Sequence, residues 1–331
     1  MINNIPFSIP TEFVAGITEG SLIRVGTLLK ESSTGKIVAH IQETGLAQQI
    51  LSGISESPFS PLNTLGLVSS GYANVQLGQL KRMVEGLESL QYINLGVSIA
   101  GIGVSVIGFA MMNKRLNSIE GQITYLTEKM DQHFKDLFDR ELRKHFSLVY
   151  VLIEKADLAN TLSNSSVEWR RVASQLADES GFFRGEIDHL LKQVIFDADL
   201  FTLLVRSLAL CNAAYIECLL LASELPAAHK AASVIGQNYI SLFDSMTPTQ
   251  LASNVSTANK SGSDEDSYSG LRRNQLEMTD LVHGVRDVTD AALTRPFLIE
   301  ALIEKGISGH DFISALRGEK EHPILLLKHL P

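Results

Sequence analysis

No charged residue lies between Glu88 and Lys114. The core of that gap, Tyr92 to Met112, is almost entirely apolar or small. Residues 89–113, coiled as an α-helix at about 1.5 Å per residue, are long enough to cross a hydrocarbon layer of about 30 Å. A water-soluble core can also hide an apolar helix, but this stretch is rich in Gly and Ser. Those residues are weak helix formers in water and common where helices approach closely in lipid. The segment is therefore expected to form a membrane-competent helix.

The pattern inside the segment adds to its length. Stepping by three and four residues places Gln91, Asn94, Ser98, Gly101, Ser105 and Gly108 on one face. Ile93, Val97, Ala100, Val104, Ile107 and Met111 fall on another. The small, polar face permits close backbone approach and hydroxyl hydrogen bonds between helices, so homo-oligomerisation is expected there. Lys114-Arg115 directly follow the segment, whereas Lys81-Arg82 stand farther off and are offset by Glu85 and Glu88. Positive-inside reasoning then puts the carboxyl-terminal body in the cytoplasm.

The bulk charge narrows the partners. Lys and Arg number 28 against 37 Asp and Glu, a formal charge of −9. Nucleic-acid binding, which calls for a basic face, is not expected, and neither is long-range attraction to anionic lipid. Contact with a lipid bilayer would have to be hydrophobic. The first ten residues lack a basic start and a long apolar run, so no cleavable secretory signal is expected. Synthesis in the cytoplasm, followed by membrane association or export through a specialised secretion route, is the expected itinerary.

Three regions differ along the 331 residues. Residues 1–60 carry two β-branched runs around Glu31-Ser-Ser-Thr-Gly35, a hairpin signal, and an isolated hairpin needs the helical body or a protein partner to pack on. Residues 61–120 are expected to form a linker and a long helix, with residues 72–112 helical. Ser55 to Asn63, carrying Pro58 and Pro61, marks the approach to it. Residues 121–331 are expected as a helical bundle. Leu116, Ile119, Ile123, Leu126, Met130, His133 and Leu137 recur at alternating spacings of three and four, a heptad seam for a coiled coil or helical hairpin. Val194 to Leu221 is nearly as apolar as the first segment, but Asp197, Asp199, Arg206 and Glu217 interrupt it, each costing about 2.5 kcal/mol or more at a bilayer centre. It reads as the central helix of a bundle. Breaks are expected at Ser163 to Ser166, at Ser180-Gly181, over the polar stretch Ser253 to Gly270, and between Thr294 and Pro296. Ser308 is placed to cap a short helix through Arg317.

Catalytic signatures are lacking. Gly101-Ile-Gly103 is not completed to a dinucleotide loop, because Val106 stands where the third glycine belongs. No Gly-Lys-Ser or Gly-Lys-Thr follows a glycine-rich loop, and no Gly-x-Ser-x-Gly elbow frames a nucleophile. Glu141 and His145, one turn apart, suit a surface pair better than a zinc site. Cys211 and Cys218 lie roughly 10 Å apart along one helix, beyond disulfide reach, and read as small buried residues. No enzyme activity, cofactor or metal is expected. The layout is similar in general shape to α-helical pore-forming proteins. A membrane-active effector, pore-forming or toxin-like, is the leading expectation. Rival readings are a single-pass anchored scaffold and an interaction protein that keeps the apolar helix buried.

Overall fold

The computed structural model describes residues 22–25, 28–43, 132–193, 196–258, 264–319 and 324–327, with single positions between 16 and 21 and between 112 and 124. The expected linker near 55–63, the helix over 72–112 and its small-residue face lie outside the described residues, apart from Met112, which is helical. The chain is mainly α, with a small antiparallel sheet.

Strands β1 (Leu22–Val25), β2 (Leu28–Glu31) and β3 (Ile37–Glu43) follow one another in the sheet. The turn from β2 to β3 closes with Gly35 at φ +71, the left-handed region that glycine enters without a Cβ penalty. The Gly35 N–H donates to the Glu31 carbonyl at 2.9 Å. The register shifts between Leu29 and Lys30, so that Lys30 pairs with Ile37 and both Leu28 and Leu29 are buried. A fourth strand, β4 (Ile324–Leu327), comes from the far end of the chain and pairs antiparallel with β3. It was not legible beforehand, since four apolar residues carry no period.

Helices α1 (Gln132–Ala159), α2 (Ser165–Leu191) and α3 (Ala198–Leu221) form one side of the bundle. The break after α1 spans residues 160–164 and overlaps only the first half of the expected stretch, because α2 already begins at Ser165. The break at Ser180-Gly181 does not form, and α2 runs through both residues. Trp169, Val172, Ala173, Leu176, Phe183, Ile187 and Leu190 make one continuous buried face on either side of them. That face outweighs the roughly 1 kcal/mol that Gly costs a helix interior.

The central helix is α3, expected from Val194 and observed from Ala198, because Asp197 caps it by accepting from the Leu200 N–H at 3.0 Å. It is the one described helix long and apolar enough to cross a membrane, yet 89% of its most apolar window is buried. Its neighbours are α1, α2, α4 (Leu225–Phe243) and α7 (Gly309–Gly318). Burying a Leu or Phe side chain contributes about 1.5–3 kcal/mol, so the leucines and Phe201 of α3 contribute substantially to this core.

The second side is built from α4, α5 (Pro248–Ala258) and α6 (Asp264–Glu304). Two expectations fail here. Much of the stretch read as a polar loop, Ser253 to Gly270, is helical at both ends, in α5 and at the start of α6. Pro296 lies inside α6 instead of starting a new helix. Proline removes one ladder donor at that point, and Thr294 Oγ1 donates to the Ala291 carbonyl just before it at 3.0 Å. Val288, Ala292, Leu298, Ile299 and Leu302 are buried on both sides of the proline, and this packing carries the helix across. Ser308 caps α7 as expected, accepting from the Asp311 N–H at 3.0 Å.

Candidate functional site

The junction between the apolar segment and the bundle is the candidate site. Met112, Leu116 and Ile119, spaced by four and three residues on one helical face, are 1%, 3% and 6% exposed and belong to the main hydrophobic core. Leu116 lines a groove with Phe146 and Tyr150 of α1, where Glu120 supplies a polar edge. The first two seam positions are thus engaged within the chain. His133 and Leu137 lie on the backbone of α1, their side chains outside the described residues, as are Ile123, Leu126 and Met130. Asn94, Val97, Ser98, Gly101, Val104, Ser105, Ile107 and Gly108 also lie outside the described residues.

Several polar groups in the bundle are paired across helices. His145 Nδ1 lies 2.7 Å from Glu179 Oε2, and its ring stacks on Phe182 at 3.5 Å. Glu141, the partner expected from spacing, stands farther away at 3.9 Å. Helix α1 therefore uses His145 to fasten α2. Ser180 donates to Asn212 Oδ1 at 2.7 Å, and Asn212 Nδ2 donates to the Tyr239 hydroxyl at 3.0 Å, a chain that joins α2, α3 and α4. Burial pushes the Tyr239 phenol up to about 12, so it remains a neutral hydrogen-bonding group. Cys211 and Cys218 are free and buried, and burial raises both thiols well above their ordinary range. They are packing residues, with no thiolate to act as nucleophile.

Two charge contacts join parts of the chain far apart in sequence. Arg317 on α7 donates to Glu217 Oε1 at 2.7 Å. Glu217 is fully buried, and its other oxygen, Oε2, has no hydrogen-bond partner among the described residues. Burial raises its carboxyl to about 8 against the opposing pull of Arg317, and Asp157 on α1 adds to the rise. Lys30 on β2 reaches Asp287 at 2.9 Å and Asp290 at 2.7 Å on α6. Burial pulls the Lys30 ammonium down, but hydrogen bonds and charge from Asp290 and Asp287 outweigh it and leave it raised. Beside this clip Leu28, Ile37 and Ala291 form a small apolar cluster separate from the main core.

These contacts hold helices and a sheet in place. Among the described residues no group of three His, Cys, Asp or Glu side chains is placed to hold a metal ion. Comparison of the chain with family models, with curated proteins and with solved structures finds no match in any of the three.

Proposed function

We propose that the chain is a membrane-active helical effector. Residues 89–113 enter a bilayer, copies associate through Asn94, Ser98, Gly101, Ser105 and Gly108, and the bundle stays folded in water. One observation supports this above the others. The only other segment apolar enough for lipid among the described residues, α3, is already covered by α1, α2, α4 and α7. The apolar helix of the bundle is thus already covered by protein, which supports assigning contact with lipid to the charge-free segment. Its carboxyl end joins the bundle through Met112, a core residue, so an inserted helix would be coupled directly to the folded body.

The test is purification without detergent, followed by dye release from phosphatidylcholine vesicles with the same material. Soluble protein that becomes a leaky membrane-bound oligomer supports the proposal. Carbonate-resistant binding without leakage would replace it with a membrane-anchored scaffold. No stable binding at all would leave an interaction protein whose apolar helix stays buried.

A further inference from the structure

Helix α1 carries a second apolar stripe on the side away from the core. Val149, Leu152, Ile153, Ala156 and Ala159 face inward and are buried. Leu148, Val151 and Leu158, with Leu162 in the turn that follows the helix, are 41%, 42%, 60% and 46% exposed. Of the ten large apolar side chains exposed among the described residues, these four fall within one stretch of fifteen residues. Together with Lys155 they step by three, four, three and four, the period that keeps one helix face against a partner helix. A continuous exposed stripe of this kind marks a contact surface, where single scattered apolar residues would not.

The stripe is complementary to itself. Turned end for end about the point midway between Val151 and Leu158, it sets Val151 of one copy against Leu158 of the other, and Leu148 against Leu162. The same turn brings Lys155 beside the other copy's Glu154, both exposed, while the Lys155 methylenes lie along the seam. Leu158, the most exposed of the four, then meets a ready opening. Val151 stands at a groove of about 440 Å³ that is also lined by Leu116, Phe146, Ser147 and Tyr150. A side-chain knob entering such a hole is the unit of helix pairing. We infer that two copies of the chain pair in water through α1, antiparallel and two-fold symmetric, each placing Leu158 in the other's Leu116 groove. This surface belongs to the bundle and is separate from the small-residue face of the apolar segment, so it needs no bilayer. Its seam, Leu148 to Leu162, spans about 22 Å at 1.5 Å per residue. That is short beside an obligate interface, so the dimer should dissociate on dilution.

The test is analytical ultracentrifugation of the detergent-free full chain over a range of concentrations. The parent should sediment as a reversible dimer. Val151→Gln combined with Leu158→Gln should weaken that dimer on the order of 100-fold, since each dimer then carries four changed side chains at its seam. Both positions are exposed, so the helical circular dichroism should stay as it was. Val234→Gln removes a side chain 51% exposed on α4 and should leave association unchanged. Orientation is read by mild oxidation of added cysteines, Cys211 and Cys218 being buried and silent while the bundle is folded. Lys155→Cys lies near the two-fold axis and should form an intermolecular disulfide, whereas antiparallel pairing keeps Lys144→Cys roughly 30 Å from its mate. Crosslinking of both would mean parallel helices and overturn the arrangement. A dimer that survives the double substitution, or that Val234→Gln weakens equally, would place association elsewhere and overturn the proposal. So would a parent that stays monomeric at every concentration; a Leu158→Cys thiol slow to react with maleimide in that monomer would show the stripe covered by the chain itself.

Discussion

Glu217 and Arg317 stand 100 residues apart in the chain and meet at 2.7 Å, joining the central helix α3 to α7, the last helix before β4. The contact is asymmetric. The carboxyl is fully buried, while the guanidinium side chain is 32% exposed. Burial therefore dominates at Glu217, and the folded protein holds a proton there at higher pH than the unfolded chain does.

The sign of the pH dependence follows. Glu217 rises from an ordinary 4.5 to about 8 on folding, so its contribution to stability is fully present below 4.5 and is lost as pH rises through 8. Chemical denaturation of the bundle should show stability falling between those limits. Glu217→Gln should flatten the fall. Arg317→Met should carry the fall to higher pH, since the cation that holds the carboxyl down is gone and burial then raises it further. Indistinguishable pH profiles for the parent and Glu217→Gln would refute this account of the pair.

Gly309 at the start of α7 packs directly against the backbone of α3. A Cβ there would lie 2.3 Å from the Leu220 carbonyl oxygen, which is backbone and cannot swing aside. Gly309→Ala should lower stability by about 1–3 kcal/mol through overpacking, read as a shift in thermal midpoint. Gly318→Ala, with open space around its Cβ, is the control and should shift the midpoint far less.

The Lys30 clip fastens the sheet through a cluster separate from the main core. Lys30→Ala should therefore speed amide exchange in β2 and β3 while leaving α2 and α3 protected. A uniform loss of protection across the bundle would mean that sheet and bundle unfold as one unit.

Within the apolar segment, Gly101→Leu and Ser105→Leu should preserve insertion and weaken oligomerisation, because larger side chains hold backbones apart. Val97→Leu and Val104→Leu, on the other face, should do much less. Crosslinking of vesicle-bound protein measures the contrast. Equal oligomer yield from all four variants would move association elsewhere, to the seam or the bundle.

The fold was legible where one period or one cap governed a whole element. The apolar run of α3, the turn glycine Gly35 and the Ser308 cap of α7 are local facts, and each appears close to its expected position, whereas Asp197, expected only as an interruption of that run, caps α3. Failures occurred where distant packing overrode a local breaker. Ser180 spends its hydroxyl on Asn212 of α3, and Pro296 is carried by the buried residues around it. Strand β4 and the partners of Lys30, Glu217 and His145 are pairings between separate parts of the chain, which no sequence window contains. Of the candidate site, Leu116 and Ile119 were found by their spacing, but their use inside the bundle was not.

Dye release from phosphatidylcholine vesicles by the parent and by Val104→Asp tests the membrane reading most directly. An aspartate at the centre of the segment adds about 2.5–3.5 kcal/mol to insertion. It should abolish release while the helical circular dichroism of the bundle stays unchanged. Release at the parental rate by a folded Val104→Asp protein would contradict the claim that residues 89–113 enter the bilayer.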